Sequence, residues 1–136
     1  NDEAKYIITG NNRDLNRYRW NHKNITQKLK NTRSKQSIFY KSITDLLEVR
    51  RKQTAFHPNG LRSSMNMGPK IFCFKRQSID KKQIILCVTN LSSKSQITKI
   101  NFKFLKWKNL LDNSNNHILD KMIKLKPFQT VWLSNI

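Results

Sequence analysis

The sequence predicts a helical segment followed by a small antiparallel all-β domain, because the hydrophobic period changes part-way along the chain. Up to Arg51 the apolar residues recur at the spacing of one helix face, whereas beyond Gly60 they alternate with a period of two. Between the two patterns lies A-F-H-P-N-G (Ala55 to Gly60), and a Pro-Asn-Gly run is typical of a turn where a chain reverses. We therefore predict two domains, residues 1–54 and residues 55–136.

The helical part is predicted to begin late, because the first twenty residues are polar and irregular. They include Gly10 and a run of Asn and Arg, and we expect them to form a loop. Asn21 or Asn24 can cap a short helix through Leu29, and the main helix is predicted from about Ser37 to Arg51. One face of this main helix carries an apolar stripe at helical spacing. The stripe consists of Phe39, Ile43, Leu46 and Leu47, and Arg50 lies on the same face. The stripe requires a partner surface, and the segment itself does not obviously provide one.

The second part is predicted to contain six short strands separated by turn signals, which together indicate a small antiparallel sandwich. The predicted strands are Leu61 to Met67, Ile71 to Arg76, Gln83 to Asn90, Gln96 to Phe104, Leu119 to Leu125 and Gln129 to Leu133. Each strand is expected to bury one side and to leave its lysines outside. Two sets of residues should then share a face each, namely Ile84 with Leu86 and Val88, and Ile100 with Phe102 and Phe104.

Length and composition suggest a piece of a longer cytoplasmic protein. The 136 residues begin at Asn1 with neither a methionine nor an apolar leader, so we expect a C-terminal fragment. No stretch approaches the roughly 18 apolar residues that a membrane span requires, so no membrane association is expected. Two cysteines, Cys73 and Cys87, do not make a disulfide framework, and we interpret them as small apolar strand residues. A reducing cytoplasm fits this cysteine usage best.

The net charge of +19 invites the alternative hypothesis that the β part is a basic module that binds nucleic acid. The distribution of charge disfavours it, because Lys and Arg outnumber Asp and Glu by 13 to 5 in residues 1–54 and by 14 to 3 in residues 55–136. The charge is therefore spread along the chain. Strands such as I-F-C-F-K-R (Ile71 to Arg76) are also typical of an ordinary strand with solvated basic residues. The oligomeric state is left open.

Residues for catalysis or metal binding are scarce in this sequence. A glycosidase needs two carboxylates on either side of the scissile bond, and a metal site needs a cluster of His, Cys, Asp or Glu. The eight acidic residues are scattered, and His22, His57 and His117 lie far apart in sequence. We therefore assign no catalytic and no metal-binding residue. His57, which precedes a proline, is expected to hold backbone groups in a turn.

One polar segment, T-G-N-N-R-D-L-N-R-Y-R-W (Thr9 to Trp20), is a candidate binding site. Three arginines, an aspartate and two aromatic residues within twelve positions suit the recognition of phosphate, carboxylate or sugar hydroxyls. The alternative interpretation is a solvated basic loop.

Six motifs in a fixed order resemble the C-terminal end of the sucrose phosphorylase group in the α-amylase family, which is family 13 of the glycoside hydrolases. They are N-D-E (Asn1 to Glu3), T-G-x-x-R-D-L-N-R (Thr9 to Arg17), L-L-E-V-R-R (Leu46 to Arg51), A-F-H-P-N-G, the strand pair I-F-C-F-K-R and I-L-C-V-T-N-L-S (Ile85 to Ser92), and L-K-P-F-Q-T-V-W-L (Leu125 to Leu133). Each motif is short, but their common order covers essentially the whole chain.

The resemblance implies a specific fold and activity. Residues 1–54 would supply the last loop and the final helix of a (β/α)8 TIM barrel, and residues 55–136 would form the C-terminal β domain of the family. Members use an aspartate nucleophile, a glutamate acid and base, and a second, stabilising aspartate to transfer glucose to inorganic phosphate. The product is α-glucose 1-phosphate, and no cofactor is implied. The three acids would precede this chain, so the chain alone should be inactive.

The resemblance also implies which residues would contact the substrate. In the R-D-x-N-R loop, Arg13 would contact the acceptor sugar or phosphate, Asp14 and Asn16 would shape the loop, and Arg17 would supply a second anionic contact. Family members split sucrose, sucrose 6'-phosphate, glucosylglycerol or glucosylglycerate, and the sequence leaves the choice between these α-glucosides open. The expected partners are therefore a small sugar and phosphate.

Overall fold

The chain contains two compact units, Asn1–Thr44 and Asp45–Ile136. The computed structural model describes residues 2–16, 19–101, 107–112, 118–119 and 121–136. The limit between the units falls within a helix, whereas the domain boundary predicted at residues 54 and 55 concerns the longer protein and stays a prediction.

Within the described ranges, four α-helices precede the strands. They are α1 (Glu3–Thr9), α2 (Asn12–Asn16), α3 (His22–Lys30) and α4 (Lys35–Arg51), and a short 3-10 helix follows at Thr54–Phe56. The main helix predicted from Ser37 to Arg51 is confirmed as α4, which begins two residues earlier. Asn21 caps α3, because its side-chain oxygen accepts a hydrogen bond from the Lys23 amide at 2.9 Å.

The prediction of an irregular loop over the first twenty residues is wrong for α1 and α2. Asp2 caps the N-terminus of helix α1, because its carboxylate accepts a hydrogen bond from the Lys5 amide at 3.2 Å. Gly10 caps its C-terminus, since it adopts the left-handed conformation with φ of 62° and donates its N–H to the Tyr6 carbonyl at 2.7 Å. A cap at each end therefore stabilises a helix too short to show a clear apolar period.

The apolar stripe of α4 is exposed. The exposed fractions are 70% for Phe39, 42% for Ile43, 40% for Leu46 and 48% for Leu47. An amphipathic helix gains most of its stability from burying its apolar face. The part of the chain that is described therefore leaves this stripe largely uncovered.

The described residues after the helices form eight strands, and the pairings among these strands are antiparallel. They are β1 (Leu61–Asn66), β2 (Ile71–Gln77), β3 (Ile84–Asn90), β4 (Gln96–Lys99), β5 (Lys108–Asn109), β6 (Ile118–Leu119), β7 (Met122–Leu125) and β8 (Thr130–Ser134). One sheet has the order β1-β2-β3-β8-β5, and the other has the order β4-β7-β6.

The two sheets share a hydrophobic core, which confirms the predicted small antiparallel β domain. Cys73, Leu86 and Val131 of the larger sheet lie in one buried cluster with Ile123 and Leu125 of the smaller sheet. Residues Ile84 and Val88 belong to the same cluster, so the predicted common face of Ile84, Leu86 and Val88 is confirmed. Ile100 also lies in it, whereas Phe102 and Phe104 lie outside the described residues.

Strand β3 departs from the prediction that each strand buries only one side. Ile85 and Cys87 belong to a second buried cluster, with Ala55 and Phe56 of the 3-10 helix. The Phe56 ring packs against the Trp132 ring on β8, with a distance of 4.9 Å between the ring centroids. The central strand is therefore covered on both faces, which explains its continuous apolar run.

The single strand predicted from Leu119 to Leu125 is wrong, because this segment is a hairpin of β6 and β7. The chain turns at Lys121, which has φ of 66°. A lysine rarely adopts the left-handed region of φ and ψ, so the residue type at this position did not indicate a turn. The short strand β5 was also missed, since two residues provide no detectable period. The strand predicted from Gln96 to Phe104 corresponds to β4, which begins at Gln96 and ends at Lys99. Residues 102–104 of the predicted strand lie outside the described part of the chain.

The junction A-F-H-P-N-G packs tightly on strand β2. Arg76 on β2 donates from Nε to the Ala55 carbonyl at 3.1 Å and from Nη2 to the His57 carbonyl at 2.6 Å. A Cβ atom at Gly60 would lie 2.8 Å from the Gln77 carbonyl oxygen, so only glycine fits without a shift. The prediction for His57 is confirmed, since its Nδ1 accepts from the Asn59 amide at 3.2 Å.

Within the described ranges, no helix has the length and apolar character needed to cross a membrane. The predicted cytoplasmic location stays a prediction.

Candidate functional site

The predicted substrate-binding residues lie where α1 meets α2, and Asp14 joins these two helices. Its Oδ2 accepts a hydrogen bond from the Thr9 hydroxyl at 2.8 Å, and its Oδ1 lies 2.8 Å from Lys5 Nζ. Lys5 and Thr9 belong to α1, whereas Asp14 belongs to α2. Gly10 provides the left-handed turn between them. We call this arrangement the α1–α2 corner.

The electrostatics of the corner keep Asp14 ionised. The hydrogen bond from Lys5, and next that from Thr9, hold the pKa of the Asp14 carboxyl below its usual value. Both carboxylate oxygens are therefore engaged within the chain. This geometry fits a residue that shapes the loop, which is the role implied for Asp14 by the resemblance.

Arg13 precedes Asp14 on α2 and has a different environment. Its backbone N–H donates to Asn11 Oδ1 at 3.0 Å, and its side chain is exposed. No hydrogen bond or ion pair of the guanidinium is formed with any residue that the structure describes. The described residues therefore use none of its five N–H donors.

The other two predicted residues are only partly described. Asn16 is the last residue of α2, and its side chain is not among the described groups. Arg17 lies outside the described residues. The assignment of Arg13, Asp14, Asn16 and Arg17 to substrate or phosphate binding therefore stays a prediction.

Sequence reasoning missed Lys5, which is the ionic partner of Asp14. Lys5 is nine positions away, and no helical spacing connects the two residues. Only the αL turn at Gly10 brings them together, and a T-G pair gives at most a weak signal of such a turn.

A second polar cluster, also missed, joins the end of α4 to the larger sheet. Gln83 is 5% exposed and its Oε1 accepts from the Ala55 amide at 2.9 Å. The same oxygen accepts a hydrogen bond from the Thr54 hydroxyl at 3.1 Å, and Gln83 Nε2 donates one to Gln53 Oε1 at 2.7 Å. We call these contacts the Gln83 cluster. It satisfies buried polar groups and offers no nucleophile or base, so its role is structural.

The side chains with catalytic or metal-binding potential in the β part are dispersed. Cys73 and Cys87 are both buried and free, and burial raises the pKa of each thiol. They lie in different hydrophobic clusters, on opposite faces of the larger sheet. In the part of the chain that is described, no group of three or more His, Cys, Asp or Glu could hold a metal ion.

Comparison with known proteins identifies two curated relatives and a structural neighbour. A glucosylglycerate phosphorylase of Spirochaeta thermophila is 31% identical over 84 residues, which are 62% of this chain and 14% of that protein. A glucosylglycerate phosphorylase of Escherichia coli is 28% identical over 134 residues, 98% of this chain and 23% of that protein. This chain resembles the sugar phosphorylases of the α-amylase family. The resemblance inferred from the six motifs is thereby confirmed.

The structural comparison concerns the fold. The trehalose-6-phosphate hydrolase of Bacillus licheniformis matches with a TM-score of 0.58 and 18% identity, over 80% of this chain and 20% of that protein. At this identity the likeness shows a shared fold, including the antiparallel β domain. No protein-family model matches the chain. The chain thus spans less than a quarter of each of these proteins, and the end of a TIM barrel stays a prediction.

Proposed function

We propose that this chain is the C-terminal part of a longer retaining α-glucosyl phosphorylase. This enzyme would split an α-glucoside with inorganic phosphate and release α-glucose 1-phosphate. The similarity to two glucosylglycerate phosphorylases, one of them over 98% of this chain, is the observation that carries the proposal. In this proposal, residues 1–54 contribute the last loop and helix of the catalytic barrel, and the catalytic acids lie in the part that precedes Asn1.

The exposed stripe of α4 supports the barrel part of this proposal. Phe39 and Leu47 are 70% and 48% exposed, and a helix with such a face requires cover. A final barrel helix would press this face against its neighbours and the sheet.

The α1–α2 corner would then present Arg13 to the substrate. The ion pair of Lys5 with Asp14 and the hydrogen bond of Thr9 hold the corner, while the Arg13 guanidinium stays exposed. In barrels of this kind the active site is built from the loops at the carboxyl ends of the strands. Arg13 would donate to phosphate or to the acceptor sugar, and Arg17 would supply a second cation.

Glucosylglycerate is the substrate that we propose to test first. Both curated relatives are named for it, whereas neither is named for sucrose, sucrose 6'-phosphate or glucosylglycerol. Glycerate adds a carboxylate to the acceptor, and arginine binds carboxylates in a planar, two-point geometry. The loop therefore has the chemistry that an anionic acceptor requires.

A substrate panel with the longer enzyme tests the choice of acceptor. The four α-glucosides would be compared at equal concentrations. The initial rate at which each one releases its non-glucosyl portion in the presence of phosphate would be measured. We expect the highest kcat/KM for glucosylglycerate. A higher kcat/KM for sucrose would contradict the proposed acceptor and leave the phosphorylase proposal intact, whereas phosphate-independent release from all four would overturn the phosphorylase proposal.

A further inference from the structure

An open cavity lies over strands β1 and β2. Its volume is about 490 Å³, which falls within the range of roughly 300 to 1,000 Å³ typical of small-molecule sites. It is lined by Arg62, Ser63, Ser64, Phe72, Phe74 and Arg76. All six residues belong to the β unit, so the cavity does not depend on how the two compact units are arranged.

The register of the strands places two arginines side by side at this cavity. Arg62 on β1 is directly opposite Arg76 on β2, and Ser64 is directly opposite Phe74. Directly opposite residues of an antiparallel pair project from the same face of the sheet, and like charges in such a pair repel each other. Neither arginine forms an ion pair with a carboxylate of the described residues. An anion between the two guanidinium groups would remove this repulsion.

Arg76 is held in place before any ligand binds. Its Nε and Nη2 donate to the carbonyls of Ala55 and His57, which fix the plane of the guanidinium. Two of its five N–H donors are used in this way, so others remain available. Arg62 is exposed and can close on a ligand from the edge strand. The pair thus combines a fixed donor with an adaptable one.

The aromatic residues give the cavity an apolar side. Phe72 is 52% exposed although it is a large apolar residue, and its ring centroid lies 5.8 Å from that of Phe74. An exposed ring face suits the C–H face of a sugar, because both surfaces are flat and apolar. The Ser64 hydroxyl, which lies on the same face as Phe74, can donate or accept hydrogen bonds with sugar hydroxyls.

We propose that this cavity binds a small anionic sugar, meaning a sugar ring that bears a phosphate or a carboxylate. The anionic group lies between Arg62 and Arg76, and the ring lies over Phe72. None of its six lining residues is among those that the proposed function assigns to substrate binding. Its test requires binding only, so its outcome is independent of whether the longer enzyme is a phosphorylase.

The test is calorimetric titration of the 136-residue chain with four probes: glucose 1-phosphate, glucuronate, glucose and inorganic phosphate. We expect at least one of the two anionic sugars to bind more tightly than glucose and than inorganic phosphate. A response to only one of them supports the proposal and identifies the anionic group. The proposal would be overturned if inorganic phosphate bound as tightly as both glucose 1-phosphate and glucuronate. It would also be overturned if neither of these two anionic sugars bound.

Variants locate the binding and provide a matched control. Arg62→Ala and Phe72→Ala, both at exposed positions, should each weaken binding by about tenfold. Lys99→Ala removes the same single charge from an exposed position on β4 and should leave the affinity unchanged. Equal weakening by Arg62→Ala and Lys99→Ala would reduce the binding to general attraction by a basic chain and reject the site.

Discussion

Asp14 and Arg13 are neighbours on α2, yet their side chains have different surroundings. Both Asp14 oxygens are engaged by Lys5 and Thr9, and these contacts lower the pKa of its carboxyl. Arg13 is exposed. A carboxylate whose acceptors are occupied shapes a loop, whereas a guanidinium with available donors can bind an anion.

Replacing Arg13 with Ala in the longer enzyme should impair phosphorolysis. A charge-assisted contact to phosphate or to the acceptor contributes about 1.5 to 3 kcal/mol, which is roughly a ten- to hundredfold effect on the affected step. Arg13→Lys should recover only part of the activity, because lysine keeps the charge but lacks the planar fork. Steady-state kinetics of kcat and KM would measure both effects.

Lys81 provides the control for this substitution. It is exposed on the turn before β3, and Lys81→Ala should leave catalysis unchanged. If folded Arg13→Ala and Lys81→Ala enzymes had equal kinetics, the loop would have no part in substrate binding.

The two cysteines should be unreactive in the folded chain. Burial raises the pKa of the Cys73 thiol to about 11 and that of the Cys87 thiol to about 12, from an ordinary value of 9.0. The thiolate is the reactive form, so we expect no alkylation of either cysteine at about pH 8 until denaturant is added. Mass spectrometry after iodoacetamide treatment measures this, and equal alkylation with and without denaturant would contradict the burial of both thiols.

The same shifts predict how stability depends on pH. Because the folded state holds these protons more tightly than the unfolded state, the stabilisation is complete below pH 9.0 and is lost as the pH rises towards 11 to 12. A Cys73→Ser, Cys87→Ser double variant should therefore lose less stability than the parent chain as the pH rises above 9.0. The free energy of unfolding of both chains, measured as a function of pH, tests this.

At the scale of elements, the Gln83 cluster connects the end of α4 to the sheet. Gln83→Ala would leave the buried Ala55 N–H without its acceptor and should lower the free energy of unfolding by about 1 to 3 kcal/mol. Gln96→Ala is the control, since among the described residues the Gln96 amide donates to Ser92 Oγ and to the Lys94 carbonyl, in the loop before β4. Urea denaturation of both variants measures the difference, and equal losses would contradict a special role for Gln83.

The sequence predicted the elements whose pattern is strong over several residues. Helix α4 was predicted because its apolar stripe recurs over several turns, and strand β3 was predicted because it has a continuous run of apolar residues. Helix α1 was missed because its caps at Asp2 and Gly10 stabilise it without a long apolar period. The hairpin of β6 and β7 was missed because Lys121 adopts a positive φ that its residue type does not signal.

The candidate site was predictable by residue type but not by geometry. The arginines and the aspartate of Thr9 to Trp20 indicated an anion-binding loop, but the pairing of Asp14 with Lys5 depends on a turn. In the same way, the opposition of Arg62 and Arg76 depends on strand register, which single residues do not encode.

At the scale of the whole molecule, the exposed stripe of α4 predicts poor order in residues 1–54 when they are expressed alone. Phe39 and Leu47 would lack the surface that we propose they cover. Residues 55–136 have their own buried core and should keep their strands. Hydrogen exchange measures this contrast, and exchange across residues 37–51 as slow as in the strands would contradict it.

The net charge of +19 leaves the nucleic-acid alternative as a separate prediction. If the β part were a nucleic-acid module, its affinity for DNA or RNA would fall steeply with salt and would exceed that of an unrelated chain of equal charge. Competition between this chain and such a control for a single-stranded probe would distinguish specific binding from attraction between polyions.

The central claim is that the longer protein transfers glucose from an α-glucoside to phosphate with retention of configuration. Phosphorus and proton NMR of the longer enzyme with glucosylglycerate and inorganic phosphate tests this most directly. We predict that phosphate is consumed and that glucose 1-phosphate appears first as the α anomer, because two successive displacements restore the original configuration. Formation of the β anomer, or no consumption of phosphate by the folded enzyme with any of the four α-glucosides, would contradict the claim.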